Sequence, residues 1–108
     1  MRFVRVHPEA ELEAGDAVDW YESRSSGVGW EFRDEVAAIL RMLRGNDIVP
    51  STLVQGRLGK RGVRRLRVGR FPYNAIFMQR DGDIEVLAFA HHKRRPGYWR
   101  NRMRQGGC

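Results

Sequence analysis

One cysteine, Cys108, stands in the 108-residue chain, at the last position after Gly106-Gly107. A single thiol cannot close an internal disulfide, and no thiol cluster is present to hold a metal. Long hydrophobic runs are missing as well, since no stretch approaches the roughly 18 apolar residues of a membrane span. The opening Met1-Arg2-Phe3-Val4-Arg5-Val6 alternates basic and apolar side chains, unlike the apolar core of a signal peptide. These absences lead us to expect a cytoplasmic protein with no membrane partner. Glycine loops of the P-loop and GxGxxG kinds are absent, as is the GxSxG of serine hydrolases. Of the three histidines, His7 is remote from His91-His92. Neighbouring strand residues point to opposite faces, so that pair does not chelate together easily. No metal and no cofactor are expected.

Carboxylates are scarce in one half only. Residues 1–47 hold ten acidic and six basic side chains, and residues 48–108 hold three acidic and fourteen basic ones, so charges of −4 and +11 make up the net +7. Between Ile48 and Arg80 there is no carboxylate at all, while Arg57, Lys60, Arg61, Arg64, Arg65, Arg67, Arg70 and Arg80 accumulate. Arginine stays charged and forks onto phosphate or carboxylate. A half so basic and so poor in acids points to an anionic partner, either nucleic acid or an acidic protein.

The apolar pattern, 42% of the chain, suits one domain with an ordinary core. Residues 1–105 are expected to form it, with 106–108 as a short tail. Phe3 to Val6 alternates as a short strand. Pro8 suits a first helical turn, Glu9, Glu11 and Glu13 follow, and Ala10, Ala14, Ala17, Val18 and Tyr21 fall on one helical face. After the polar break 23–27, Phe32, Val36, Ile39, Leu40 and Leu43 mark a second helix, closed by Gly45-Asn46. A short break between two such helices predicts an antiparallel hairpin whose apolar faces need a sheet. That sheet is read in Val63 to Val68, with Leu66 and Val68 inward, in Tyr73 to Gln79, and in Ile84 to His91. Asp81-Gly82 is the hairpin turn between the last two strands. Ile84 to His91 is apolar on both faces, as expected of a central strand that helices cover on one side. Residues 45–62 read as a long connection, with room for a short strand near Thr52-Leu53-Val54. The expected fold is α+β, in the order β-α-α-β-β-β: an N-terminal helical hairpin packed on a small, mainly antiparallel sheet.

Two constellations could bear function. In Arg64-Arg65-Leu66-Arg67-Val68-Gly69-Arg70, alternation puts Arg65 and Arg67 opposite Leu66 and Val68. One or two such arginines are ordinarily a solvated face, but seven cations in residues 57–70 without an acid point to a binding surface. The second is His91-His92-Lys93-Arg94-Arg95-Pro96-Gly97-Tyr98-Trp99-Arg100. Cations interleaved with aromatics bind phosphate, stack on bases or anchor a protein interface. The other reading is that Tyr98 and Trp99 fold back to plug the core. His91 is either an acid–base group or, like most lone strand-end histidines, structural.

The segments HPEAELEAGDAVDWYE (7–22), GVGWEFRDEV (27–36), RRLRVGRFPYNAIF (64–77) and IEVLAFAHHKRRPGYWRNR (84–102) together resemble the RelE/ParE superfamily, particularly its ParE-like branch. Each motif is short, but the four occur in the family's order over most of the chain. The resemblance implies the toxin of a type II toxin–antitoxin, or plasmid-stabilisation, system in bacteria, neutralised by an acidic antitoxin in a hetero-oligomer. ParE-like members are described as inhibitors of DNA gyrase that need no chemistry of their own. RelE-like members cut messenger RNA on the ribosome. RelE-like enzymes commonly carry an Arg in a Tyr-Arg-Val/Ile-Ile-Tyr strand, which here reads Phe71-Pro72-Tyr73-Asn74-Ala75-Ile76-Phe77 without one. Arg-Phe-Pro-Tyr, and the Arg-x-Pro-x-Tyr-Trp matched by Arg94, Pro96, Tyr98 and Trp99, are similar to ParE-like chains. The expected function is therefore gyrase inhibition, with ribosome-dependent cleavage as the alternative and a basic nucleic-acid-binding module as a third class. No catalytic residue is assigned. Under the nuclease alternative, His91, Tyr98, Arg94, Arg65 and Arg67 would carry the cleavage. The expected partner- or target-binding residues are Arg64, Arg65, Arg67, Arg70, Arg94, Arg95, Tyr98 and Trp99.

Overall fold

A computed structural model describes residues 2–45 and 51–103; Asn46, Cys108 and the tail 106–108 lie outside them. The element order is β1 (Val4–Val6), α1 (Pro8–Arg24), α2 (Val28–Arg44), β2 (Thr52–Leu53), α3 (Arg57–Lys60), β3 (Arg64–Arg67), β4 (Tyr73–Arg80) and β5 (Asp83–His91), then a 3-10 turn at Arg100–Arg102. The five strands form one sheet in the order β1-β5-β4-β3-β2. All pairs are antiparallel except β1 with β5, where Val4 faces Ile84 and Val6 faces Val86 in parallel register. The expected β-α-α-β-β-β path and the short strand at 52–53 are present. The one-turn α3 was not anticipated, since four residues are too few to show a helical period.

Local chemistry explains where the helices begin. Pro8 opens α1, and the side chain of His7 accepts the Glu9 N–H at 3.1 Å, so His7 caps a helix. Two acidic residues, Glu9 and Glu11, lie in the first turn, where the free N–H groups favour negative charge. At the start of α2, Glu22 of α1 accepts the N–H groups of Gly27 and Gly29 at 2.9 and 3.0 Å. Gly29 must be glycine, because a Cβ there would lie 2.4 Å from the carbonyl oxygen of Val18. This close approach locks the helical hairpin. Gly45 ends α2 in extended backbone, its N–H bonded to the Met42 carbonyl, rather than in the left-handed conformation usual for glycine there. In the β4–β5 hairpin, Asp81 and Gly82 both have positive φ, 53° and 85°, as a tight two-residue turn demands.

The helices cover one side of the sheet, as expected, and the other face is covered as well, by the C-terminal segment. The helical hairpin closes one face over Phe32, Val68, Phe71, Phe77, Val86 and Phe89. The other face holds Val63, Ile76, Met78, Leu87 and Ala88, covered by Trp99 and Met103 from the C-terminal segment. Strand β5 reaches both cores with a break in its alternation: Phe77 pairs Val86 and Ile76 pairs Ala88, so Leu87 bulges without a partner. Leu87 and Ala88 consequently share the tail-side core, while Val86 and Phe89 point to the helices.

Candidate functional site

Beyond the tail-side core, the same sheet face opens into a cleft of ≈ 1010 Å³. Its floor is the β3–β4–β5 surface at Arg65, Arg67, Asn74, Ile76 and Ala90. One wall is the α3 region, with Arg57, Leu58 and Arg61; the opposite wall is the C-terminal segment from His92 to Arg100. Seven arginines line the cleft, at positions 57, 61, 65, 67, 94, 95 and 100, and no carboxylate does among the described residues. Nor do those arginines make a salt bridge with a described acid. Like charges gathered without a counter-charge raise the energy of the free chain, so the cleft gains most from an anionic occupant.

The two arginine-bearing segments therefore meet. Arg65 and Arg67 point to the tail side, as alternation required, and face Arg94 and Arg95 across the cleft. Arg64 sits on the other side of β3, where it donates to the Ser51 hydroxyl at 2.6 Å and the Ser51 carbonyl at 3.0 Å. Arg70 is outside the cleft and bonds Glu31 of α2, with its ring neighbour Phe71 beneath it. Trp99 is only 4% exposed and fills the tail-side core. The plug reading describes it, although the residue also borders the cleft.

Tyr98 lines the cleft, but its hydroxyl turns away and donates to Glu13 at 2.5 Å. Burial, then this hydrogen bond and the Glu13 charge, push its phenol well above the usual tyrosine range. The ring face carries the Arg94 guanidinium 3.8 Å from its centroid, a cation–π contact. The two histidines separate. His91 borders the cleft, yet turns its ring edge-on to Tyr73, 5.0 Å between centroids, and its Nδ1 accepts the Lys93 N–H at 3.0 Å. His92 faces the arginine side. Partial burial, then the charges of Arg67, His91 and Arg65, hold its imidazole below the ordinary histidine range. A neutral imidazole among cations is an acceptor as well as a donor.

Sequence reasoning missed Glu13; it placed Arg57, Arg61, His92 and Arg100 inside the two basic constellations without naming them among the expected binding residues. The arginine count near α3 was the available signal for Arg57 and Arg61. Nothing local marks Glu13, whose partners are 76 to 89 residues away. Among the described residues, no group of histidine, cysteine and acidic side chains could hold a metal ion, and no helix is long and apolar enough to cross a membrane.

No protein-family model matches the sequence, and no curated protein matches it. Solved structures do. The chain is similar to the chromosomal ParDE TA system from P. aeruginosa, with a TM-score of 0.70 and 16% identity over 84% of this chain and 96% of that one. It is also similar to the YoeB dimer from Staphylococcus aureus, with a TM-score of 0.59 and 13% identity over 84% of this chain and 97% of that one. Likeness at such low identity is one of fold: two helices on a five-stranded mixed sheet, the RelE/ParE toxin fold that the motifs implied.

Proposed function

We propose that this chain is the toxin of a type II toxin–antitoxin system of the ParE-like kind, acting on DNA gyrase by binding and neutralised by an acidic antitoxin. The observation that carries the reading is the seven-arginine cleft without a carboxylate, set in a fold shared with toxin–antitoxin proteins. A flexible acidic segment folding into the cleft would supply the missing counter-charge over a large area. Binding without chemistry is supported by the placement of the residues a nuclease would use. His91 borders the cleft but packs its ring edge-on against Tyr73, and the Tyr98 hydroxyl is committed to Glu13.

One observation favours the second reading, ribosome-dependent cleavage of messenger RNA. His92 faces Arg65 and Arg67 with a depressed proton affinity, which suits a general base beside phosphate ligands.

Brief induction in a bacterium, with labelled thymidine and methionine followed together, separates the two. Early collapse of DNA synthesis with continuing translation is expected; an immediate stop in translation would overturn the gyrase assignment. Co-expression of an acidic antitoxin should restore growth, and harmless high-level expression of the soluble chain alone would refute the toxin reading. Replacing Arg65 and Arg67 together with Gln should reduce growth arrest by at least about tenfold in inducer titration, the loss of two charge-assisted contacts.

A further inference from the structure

We infer that Glu13 is the positioning residue of the arginine cleft: a carboxylate clasp that fixes residues 92–103 as the second wall. The inference rests on the reading of the cleft as the binding surface.

Residues 92–103 contain no strand and only one 3-10 turn. Trp99 and Met103 fasten this segment to the sheet through apolar contact, which is non-directional and does not by itself aim Arg94, Arg95 and Arg100. Direction comes from α1. Strand β1 pairs β5 only as far as Val86, and beyond it the Phe89 N–H turns to Glu13 Oε1 at 3.0 Å. The same oxygen accepts Arg102 Nη1 at 3.0 Å, while Oε2 accepts Arg102 Nη2 at 3.1 Å and the Tyr98 hydroxyl at 2.5 Å. Arg102 Nη1 also donates to the Leu87 carbonyl at 3.0 Å. Four hydrogen bonds fill the roughly four lone-pair sites of one carboxylate. Both charged side chains are mostly withdrawn from water, 14% exposed for Arg102 and 16% for Glu13, so the bonds are little screened.

The clasp reaches the cleft through Tyr98. With its hydroxyl held by Glu13, the ring is fixed in orientation, and Arg94 stacks on the face turned to the cleft. An acid of the negative half of the chain thus sets the geometry of the positive half without entering the cleft.

Glu13→Gln in the full chain tests this, because the amide keeps the size and one acceptor for Phe89 but loses the charge. Three readouts separate positioning from mere stability. Hydrogen exchange in residues 92–103 should quicken about tenfold while α1 and α2 keep their protection, since a clasp of this kind is worth at least one such factor. The Tyr98 phenol, followed by ultraviolet absorbance, should return toward the ordinary tyrosine range. Affinity for fluorescein-labelled oligoglutamate should fall about tenfold. Should Glu13→Gln fail to fold, Tyr98→Phe, which removes a single hydroxyl, should change exchange and affinity in the same direction at roughly threefold. Unchanged exchange would overturn the clasp, and faster exchange with unchanged affinity would show that Glu13 stabilises without positioning. The Arg65, Arg67 double variant fails separately. If it binds oligoglutamate as the parent does, the reading of the cleft falls, while exchange and the Tyr98 titration still decide what Glu13 holds.

Discussion

The two faces of the sheet are closed in different ways. On the helix side, two seventeen-residue helices bring a continuous apolar surface, and Tyr21, Phe32, Phe71 and Tyr73 interlock with centroids 4.9 to 6.3 Å apart. On the tail side, a short irregular segment contributes two apolar plugs and is aimed by one carboxylate. The first face is built from periodic burial and the second from a few specific bonds. A difference of this kind usually separates scaffold from working surface, since regions with few buried contacts open at lower free energy. That contrast supports the proposal that the arginine side is the working surface.

Truncating one peg on each face gives the largest effects. Phe32 is fully buried against three aromatic rings, so Phe32→Ala should cost about 4 kcal/mol in urea unfolding, with protection lost throughout. Trp99→Ala should cost about 3 kcal/mol, yet its loss of hydrogen-exchange protection should be greatest in residues 92–103. Equal loss along the whole chain would show that the two faces form one cooperative unit. A smaller effect concerns His92. In the free chain it is neutral above its depressed pKa, and an anion in the cleft would raise that pKa again. Anion binding should therefore take up a proton and tighten as pH falls below the ordinary histidine range. His92→Gln should flatten the profile, while Arg67→Gln, which removes the largest neighbouring charge, should move it to higher pH. The smallest effect is expected at Arg70, where the pair with Glu31 is 68% and 55% exposed. Arg70→Ala should change urea stability by no more than about 0.5 kcal/mol.

Much of this was legible in residue order. The period of Phe32, Val36, Ile39, Leu40 and Leu43 announces α2, and Asp81-Gly82 announces the hairpin, because both signals are local. The arginine faces of β3 were also readable, since alternation over four residues separates Arg65 and Arg67 from Leu66. The clasp was not. Glu13 reads as one of three acids near a helix start, and only the tertiary fold brings Phe89, Tyr98 and Arg102 to it. Trp99 was ambiguous for the same reason: an aromatic among cations looks alike whether it faces a ligand or a core.

The bulge at Leu87 has a consequence for the histidines. A strand is a parity device, with odd positions on one side and even on the other. Counted strictly from Val86 on the helix side, His91 would fall on the arginine side. The extra residue reverses that parity for everything after it. His91 is sent to the aromatic ring of Tyr73, and His92, just past the strand end, is left beside Arg65 and Arg67. Inserting one residue just after the bulge, between Ala88 and Phe89, would exchange the two imidazoles and turn Phe89 out of the helix-side core. A single-residue change of length there would disturb both scaffold and working surface, though no side chain of the cleft had been altered.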